Sequence, residues 1–424
     1  MHRKYLLRPI SHGLDMSIPS MHQNLGYADW PAQNFKIDQK SAQKRWGYVE
    51  DRNLGESVEV QAIIYLKLST GTNYTVYLTN TDAIKRQSGG TWSYITHTYT
   101  TGTVWDIGGA VVTGSSTAWA TGSNNPEAND YFIVDDDLTS DSEPDANWAK
   151  VSSVGNDTTL NLVDSYSGAT SSGNYTVRRV YAVPSGERWW WATLNNRLYF
   201  GNGADHVQVW TGAGAATDLD VTEATQARYG IEYANRLVIA DYDSTRKPYS
   251  VKWSKEGDPS DWTDNTAGEN DLLQSDNFIT GLGKVGSSLI VYSTDSYIIG
   301  NRTGEPYAPI EFQEYKRGRG CIAPYSIVEV MGTNVLLGRD DFYIVQGKEL
   351  ISIGENIRSK FFSIINMKDA TKTFGYNNLL QHEVRWFATS EDNNRYCFVW
   401  NYQNMEWYYY NYSDNMSCGG IGEI

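Results

Sequence analysis

The sequence predicts an all-β protein, specifically a β-propeller of about six degenerate blades with an inserted small β-sandwich or barrel module and an extended N-terminal arm. A hairpin pattern recurs along the chain at a spacing of roughly 40–55 residues, a period typical of stacked β units. The 424 residues include 38 Gly, 30 Tyr and 15 Trp, which suit turns and half-buried pleated surfaces. The sequence shows neither heptad repeats nor a long amphipathic helical pattern.

Each copy of the hairpin pattern joins a short apolar strand, a turn and a second strand, often ending at an aromatic residue. The five clearest copies are Asn196–Trp210, Asn235–Trp253, Ser288–Ile299, Val335–Gly347 and Arg395–Trp407. One hairpin cannot bury both of its faces, so a series of hairpins implies stacked blades or a solenoid. A closed ring removes exposed sheet edges and therefore favours the propeller. An open β-solenoid and paired sandwiches remain alternatives at this stage.

The N-terminal part of the chain divides into an arm and a first β unit. Residues 1–45 are predicted to form an extended arm with turns, because Pro19 and Pro31 punctuate a segment without periodicity. Residues 46–99 are predicted to form the first propeller or platform segment. Within it, Thr72–Thr79 alternates polar and apolar residues as a half-buried strand does.

A change of composition marks an insert at residues 100–182, which are rich in Ser, Thr, Gly, Asn and Asp. Five short strands separated by turn residues predict a small β-sandwich or barrel there. These strands are Val111–Trp119, Asp130–Val134, Ala149–Val154, Thr158–Leu162 and Asn174–Arg179. Residues 183–424 are predicted to hold the remaining blades. Asn356–Ile365 is the exception, with apolar residues on one face of a short helix.

Charge and cysteine usage limit the classes of function. The formal net charge of −15 argues against a protein that grips nucleic-acid backbones. Cys321, Cys397 and Cys418 are scattered, which predicts reduced thiols in a protein made in a cytoplasm. We expect no membrane span, because no apolar run reaches 18 residues. We find no evident secretion signal at the N-terminus.

Acidic and histidine residues were considered for catalysis and metal binding. Asp271, Asp295, Asp340, Asp341 and Glu383 are candidate carboxylates for a glycosidase, which needs a pair about 5–10 Å apart. None stands in a recognisable motif, and the turn position of Asp340 and Asp341 favours a structural role. The six histidines show no metal-ligand spacing.

Three further clusters have a functional and a structural interpretation. Asp135–Asp137 could contribute to a Ca²⁺ site or form a solvated turn. Lys316, Arg317 and Arg319 could face an acidic partner or lie in a solvated loop. The aromatic runs Trp189–Trp191 and Trp407–Tyr410 could bind sugar, but the pattern favours core or interface packing. We therefore predict no catalytic, cofactor-binding or metal-binding residue, expect no cofactor and expect that the protein is not an enzyme.

Several phrases of the sequence resemble a known family. They are Gln33–Phe35 with Lys44–Gly47, Asn202–Gly212, Asn235–Ile239, Val251–Ser254 with Gly257–Trp262, and Gly338–Gly347. Outside the insert, the chain resembles tailed-bacteriophage tail proteins of the nozzle or hub type, a group that includes the tail tubular protein B family. The insert, from Val112–Trp119 to Tyr175–Val177, is similar to small β modules of phage structural proteins.

The resemblance implies a β-propeller with a platform or insert domain, six copies of which form a ring at the distal end of a short tail. Such a ring continues the DNA channel below the adaptor proteins on the portal side, carries fibres or spikes, and gates DNA ejection. The protein would belong to the virion and be assembled in the host bacterial cytoplasm. An acidic lumen would let genomic DNA pass without sequence-specific binding. The family offers no motif with a fixed role, so the resemblance assigns no site residue.

Two alternatives to this function remain. A carbohydrate-binding or host-adhesion protein would use exposed aromatics and insert residues such as Trp119 and Tyr131. A propeller glycosidase would use a pair of the carboxylates named above. For the tail protein, the loops near residues 241–250 and 302–320 are candidates for a gate.

Overall fold

The computed structural model describes residues 59–87, 92–121, 125–138, 147–220, 222–273, 277–391, 394–410, 412 and 416–419, together with the backbone of residues 35–38 and 41–44. Most of the predicted N-terminal arm lies outside these residues. Its described part is an antiparallel hairpin of β1 (Phe35–Asp38) and β2 (Ser41–Lys44).

The described strands form six small antiparallel sheets in a ring, which is a six-bladed β-propeller. Blade 1 comprises β3 (Val60–Lys67), β4 (Asn73–Thr79), β5 (Ala83–Gln87) and β6 (Trp92–Tyr94). The predicted fold class is confirmed. In every blade the four strands are neighbours in sequence order, and each strand pairs antiparallel with the next.

A separate seven-stranded sheet is inserted between blades 1 and 2. Its strands are β7 (Thr98–Tyr99), β8 (Thr103–Gly108), β9 (Val111–Ser115), β10 (Tyr131–Val134), β11 (Ala149–Asn156), β12 (Thr159–Leu162) and β13 (Tyr175–Arg178). The sheet order is β7-β13-β10-β11-β12-β9-β8, and Val104 on β8 bridges to Gly173 beside β13. The sheet therefore curls towards a barrel around its own core of Trp119, Phe132 and Tyr175. The five predicted strands correspond to β9–β13, whereas β7 and β8 were not predicted.

Blades 2 to 4 continue the ring. Blade 2 comprises β14 (Trp190–Leu194), β15 (Arg197–Gly201), β16 (Gln208–Trp210) and β17 (Thr217–Asp218). Blade 3 comprises β18 (Ala227–Tyr233), β19 (Arg236–Tyr242), β20 (Lys247–Trp253) and β21 (Gly268–Asp271). Blade 4 comprises β22 (Ile279–Val285), β23 (Ser288–Ser293), β24 (Ser296–Arg302) and β25 (Ile310–Arg317). Strands β19 and β20 occupy six of the ten residues in the candidate gate loop 241–250, and β24 and β25 occupy nine of the nineteen in 302–320.

Blades 5 and 6 complete the ring and flank a short helix. Blade 5 comprises β26 (Val328–Val330), β27 (Thr333–Leu337), β28 (Phe342–Gln346) and β29 (Glu349–Ser352). Blade 6 comprises β30 (Phe374–Asn378), β31 (Glu383–Thr389), β32 (Arg395–Asn401) and β33 (Glu406–Tyr410). Between them lies α1 (Arg358–Ile364), which confirms the predicted helix. Its buried Phe361 contacts the rings of Phe342 and Phe398, each 4.8 Å away.

Aromatic side chains join neighbouring blades in two ways. Their rings fill hydrophobic clusters that combine residues from two adjacent blades. At five interfaces an indole N–H or phenol O–H also donates to a main-chain carbonyl of the neighbouring blade, an arrangement that we call an aromatic staple. The staples are Trp189 to Thr79 (2.7 Å), Trp190 to Ala227 (2.8 Å), Tyr233 to Ser287 (2.7 Å), Tyr297 to Lys348 (2.9 Å) and Trp386 to Ser326 (2.9 Å). The abundance of Trp and Tyr therefore serves both burial and hydrogen bonding.

The interface between blade 6 and blade 1 is closed differently, by residues 416–419, which we call the tail. The hydroxyl of Ser417 donates to the carbonyl of Val60 on β3 (2.7 Å), and the Arg395 guanidinium donates to the carbonyl of Met416. Arg395 also lies 3.8 Å from the carboxylate of Glu59. The tail thus links the last blade to the first. At the other five interfaces, side chains of the blades themselves make the link.

Candidate functional site

The axis of the propeller contains a cavity lined by the first strand of every blade. Residues of β3, β14, β18, β22, β26 and β30 all contribute to its wall, so these six strands are the innermost ones. The cavity holds about 730 Å³, within the range of roughly 300–1,000 Å³ that is typical of small-molecule sites. We call it the wider chamber. A concave cavity of this size is the default place to look for a ligand site.

The wall of the wider chamber mixes aromatic and charged groups. Tyr65 and Trp191 are 38% and 42% exposed. The Lys284 ammonium lies 2.8 Å from the Glu232 carboxylate, so this pair joins blade 4 to blade 3 across the wall. The amide of Asn377 donates to the main-chain carbonyl of Glu329 on the neighbouring blade (3.0 Å).

A second cavity of about 200 Å³ lies next to the wider chamber, and we call it the narrower chamber. The two chambers share the wall residues Trp191, Ile327, Gly375 and Gly419. The rest of the narrower wall contains five aromatic residues, one buried cation, Arg188, and Cys418 from the tail. Burial raises the pKa of the Cys418 thiol to about 12, so this thiol is neutral near pH 7.

The tail approaches the axis closely. A Cβ built at Gly419 would meet the ring of Tyr376 at 1.9 Å, so only a glycine fits against this ring. The hydroxyl of Tyr376 accepts a hydrogen bond from Arg385 (3.2 Å). The tail residues Cys418 and Gly419 therefore form part of the wall of the axial cavity.

A buried ionic cluster joins the insert to blade 2. The Asp218 carboxylate accepts a hydrogen bond from the Arg179 guanidinium at 2.9 Å, and Nδ1 of His97 and of His206 lie 3.3 and 3.4 Å from its oxygens. Burial opposes ionisation of Asp218, but the two imidazoles and Arg179 hold its pKa below the ordinary value. The Asp218 carboxylate in turn raises the pKa of His206. Burial raises the pKa of nearby Asp130 to about 7.

This cluster lies where the chain enters and leaves the insert, so its geometry fixes the insert on the propeller. The sequence analysis missed it, because residues 97, 179, 206 and 218 come from separate segments. The local signal was limited to a histidine shortly before each of two strands, His97 before β7 and His206 before β16. No group of three or more His, Cys, Asp or Glu side chains suited to a metal ion occurs in the described parts of the chain.

Each candidate carboxylate accepts hydrogen bonds from other residues of the fold. Asp341 accepts hydrogen bonds from Ser352 and Arg358. Asp340 accepts from Tyr343, Asp271 from Ser250, and Asp295 from Asn277. Glu383 is fully buried and accepts from Tyr410 and Arg385.

The other predicted clusters are also engaged locally. Asp135–Asp137 form a 3-10 turn, in which Asp137 accepts from Tyr166 (2.8 Å) and Asp135 from Thr176 (2.8 Å). In the basic cluster, Lys316 pairs with Glu349, Arg319 donates to the carbonyl of Leu350, and Arg317 lies over the ring of Tyr315.

The aromatic runs are mostly buried. Trp407–Tyr410 is buried throughout, as are Trp189 and Trp190, whereas Trp191 faces the axial cavity. Trp119, which the adhesion hypothesis requires at the surface, is fully buried in the insert and donates to the hydroxyl of Tyr175 (2.8 Å). Trp119 is therefore unavailable for glycan binding.

None of the helices in the described part of the chain has the length and apolar character needed to cross a lipid bilayer.

Comparisons with known proteins give no family. No protein-family model and no curated protein significantly matches the chain. Among solved structures, the chain is similar to uncharacterized protein lmo1340 of Listeria monocytogenes EGD-e (9% identity, TM-score 0.31, 83% of this chain and 95% of that one). It is also similar to apo AztD of Citrobacter koseri (9%, TM-score 0.29, 85% and 83%). A third match is a puromycin-hydrolyzing peptidase of Mycobacterium tuberculosis (10%, TM-score 0.31, 83% and 53%). At these values the likenesses carry no argument about function.

Proposed function

We propose that the chain is a structural virion protein of a bacteriophage tail, of the nozzle or hub type. Six copies would form a ring that continues the DNA channel, gates DNA ejection and anchors fibres or spikes. The observation that carries the proposal is the architecture, in which a β module interrupts a six-bladed propeller after its first blade. This is the arrangement that the resemblance of segments such as Asn202–Gly212 and Gly338–Gly347 implies.

In this proposal the DNA passes between copies and not along the axis of one propeller. The wider chamber holds only about 730 Å³, and Cys418 and Gly419 contribute to the wall of the narrower one. The major groove of B-DNA alone is about 12 Å wide, so a duplex requires a much larger passage. The lumen of the ring would supply that passage, and the net charge of −15 per copy would limit adsorption of the DNA.

The contacts of the candidate residues favour a scaffold over the two alternatives. The aromatic residues that could bind sugar are largely used as staples and core. The carboxylates that a glycosidase would need are hydrogen-bonded within the fold, as Glu383 is to Tyr410 and Arg385. Partners in this proposal are five further copies, the adaptor proteins on the portal side, and fibres or spikes on the outside.

Electron microscopy of particles labelled with an antibody raised against the insert (residues 100–182) tests this proposal. We expect label at the distal end of the tail. Pre-immune serum on the same particles is the control. Label on projecting fibres, or particles that lack the protein, would contradict the proposed nozzle function. The adhesion alternative would then be tested by screening a glycan array.

A further inference from the structure

Arg188 differs from the other deeply buried arginines of the described chain. Four arginines are more than nine-tenths buried, namely Arg178, Arg179, Arg188 and Arg236. A carboxylate oxygen lies within 4 Å of three of these guanidinium groups. Arg188 has no such carboxylate among the described residues. This difference is the starting point of the inference.

The immediate contacts of Arg188 are weak or neutral. Its Nη2 lies 3.4 Å from the main-chain carbonyl of Gln61, and its guanidinium carbon lies 4.2 Å from the centre of the Phe374 ring. A cation over an aromatic ring gains some attraction but no neutralising charge. Within the described parts of the chain, the charge of Arg188 is therefore buried without a carboxylate at ion-pair distance.

The nearby acids are already engaged with other groups. The carboxylate of Glu187, the preceding residue, accepts from the Tyr325 hydroxyl (2.8 Å) and pairs with Arg228 (2.8 Å). Glu59 lies 3.8 Å from Arg395. Neither carboxylate comes within ion-pair distance of Arg188. Among the described residues no acid therefore neutralises its charge, and a bound anion would do so.

An unpaired buried charge is costly, and a protein usually avoids it by pairing or by neutralising the group. A guanidinium stays protonated in proteins, so arginine cannot become neutral by losing a proton. Burial lowers the pKa of Arg188 from its ordinary value, which reflects the same unfavourable desolvation. An anion that enters the narrower chamber would recover this lost solvation.

The wall of the narrower chamber indicates what kind of anion fits. It holds about 200 Å³, and an apolar cavity of about 150 Å³ is large enough for benzene. Trp189, Trp190, Tyr229 and Phe374 supply aromatic surface. The side-chain Oε1 of Gln61 is buried in this wall with no hydrogen-bond partner among the described residues, so it can accept from a ligand.

We propose that the narrower chamber binds a small planar hydroxylated organic acid of about one ring, whose carboxylate pairs with Arg188 and whose hydroxyl donates a hydrogen bond to Oε1 of Gln61. The ring lies among the aromatic side chains of the wall, and entry is from the wider chamber past Trp191. The paired guanidinium and carboxylate then form a charge-assisted hydrogen bond inside the protein. This inference depends on the interior of one propeller and stands apart from the proposed function.

Isothermal titration of the full chain with 4-hydroxybenzoate tests the proposal, with 4-hydroxybenzamide as the neutral isostere. We expect one saturable site for the acid and an affinity at least tenfold lower for the amide, about 1.4 kcal/mol. Arg188→Gln should lose at least tenfold in affinity for the acid. The matched control Arg339→Gln changes an exposed arginine and should bind as the parent does. A thermal melt of each variant checks folding.

Several results would overturn the proposal. One is equal binding of the acid and the amide, and another is unchanged affinity in a folded Arg188→Gln variant. Saturable binding of inorganic phosphate without binding of benzoate, nicotinate or 4-hydroxybenzoate would show that the ring is not recognised.

Discussion

Replacing Trp189, Trp190 and Trp191 one at a time with phenylalanine measures how much the aromatic staples stabilise the propeller. Each substitution removes an indole, but only two of them also remove a staple. The three residues are consecutive, yet only the first two donate an indole N–H to the main chain of a neighbouring blade. Trp191 is 42% exposed in the wider chamber. We predict that Trp189→Phe and Trp190→Phe destabilise the propeller and that Trp191→Phe does not.

The expected magnitude follows from the contacts. Phenylalanine removes the donor and leaves a buried carbonyl, of Thr79 or Ala227, without that partner, which costs about 1–3 kcal/mol. The smaller ring adds about 1 kcal/mol for the volume removed from a packed core. Each of the two variants should therefore lose roughly 2–4 kcal/mol. Trp191→Phe should stay within about 0.5 kcal/mol of the parent, as exposed substitutions usually do.

The assay is the thermal midpoint by circular dichroism, because tryptophan fluorescence would change with the substitution itself. Equal midpoints for all three variants would refute the reasoning, since they would show that the staples contribute nothing. A larger loss in Trp191→Phe than in the other two would refute it as well.

Three further predictions concern packing, pH and thiol reactivity. Gly230→Ala should lower the thermal midpoint by several degrees, because the new Cβ would lie 2.3 Å from an indole of blade 2. Gly108→Ala is the control: its Cβ would have no atom within 4 Å, so the midpoint should not change. The raised pKa of His206 beside Asp218 predicts a stability contribution that is fully present below about pH 6.5 and lost as the pH rises through the folded pKa. The midpoint should therefore fall between pH 6 and pH 8, and a fall of equal size in His206→Gln would contradict this. Burial raises the pKa of the Cys321 thiol to about 12. Iodoacetamide at pH 8 should therefore leave this thiol unmodified in the folded protein and label it in urea. Rapid labelling of the folded protein, detected by peptide mass spectrometry, would contradict the burial of Cys321.

The propeller could be predicted because its signals are local. Each blade carries short apolar strands and a tight turn that the residues specify. Asn195 and Asn196 adopt φ values of 51° and 64°, and Ala234 and Asn235 adopt 53° and 60°, as two-residue hairpin turns require. Such turns recur whatever the blades pack against, so the repeat is visible in a single sequence.

The insert was predicted less completely. Strand β8 escaped prediction because Thr103–Gly108 alternates only weakly and ends in Asp106, Ile107 and Gly108. Its pairing with β9 and its bridge from Val104 to Gly173 depend on partners further along the chain. Strand β7, Thr98–Tyr99, is too short to give a pattern.

The candidate sites could not be predicted, because they depend on long-range geometry. Nothing in the run Trp189–Trp191 distinguishes the residue that faces the cavity from the two that bridge blades. Arg188 is one of many arginines in the sequence. That no described carboxylate pairs with it becomes visible only when Glu59 and Glu187 are seen to engage other groups.

A six-fold averaged electron-microscopy reconstruction of particle tails that carry this protein tests the central claim most directly. The account predicts a distal ring of six copies, each a six-bladed propeller, around a lumen wide enough for duplex DNA and poor in Lys and Arg. Copies placed on projecting fibres, a lumen lined mainly by Lys and Arg, or tails without the protein would contradict it.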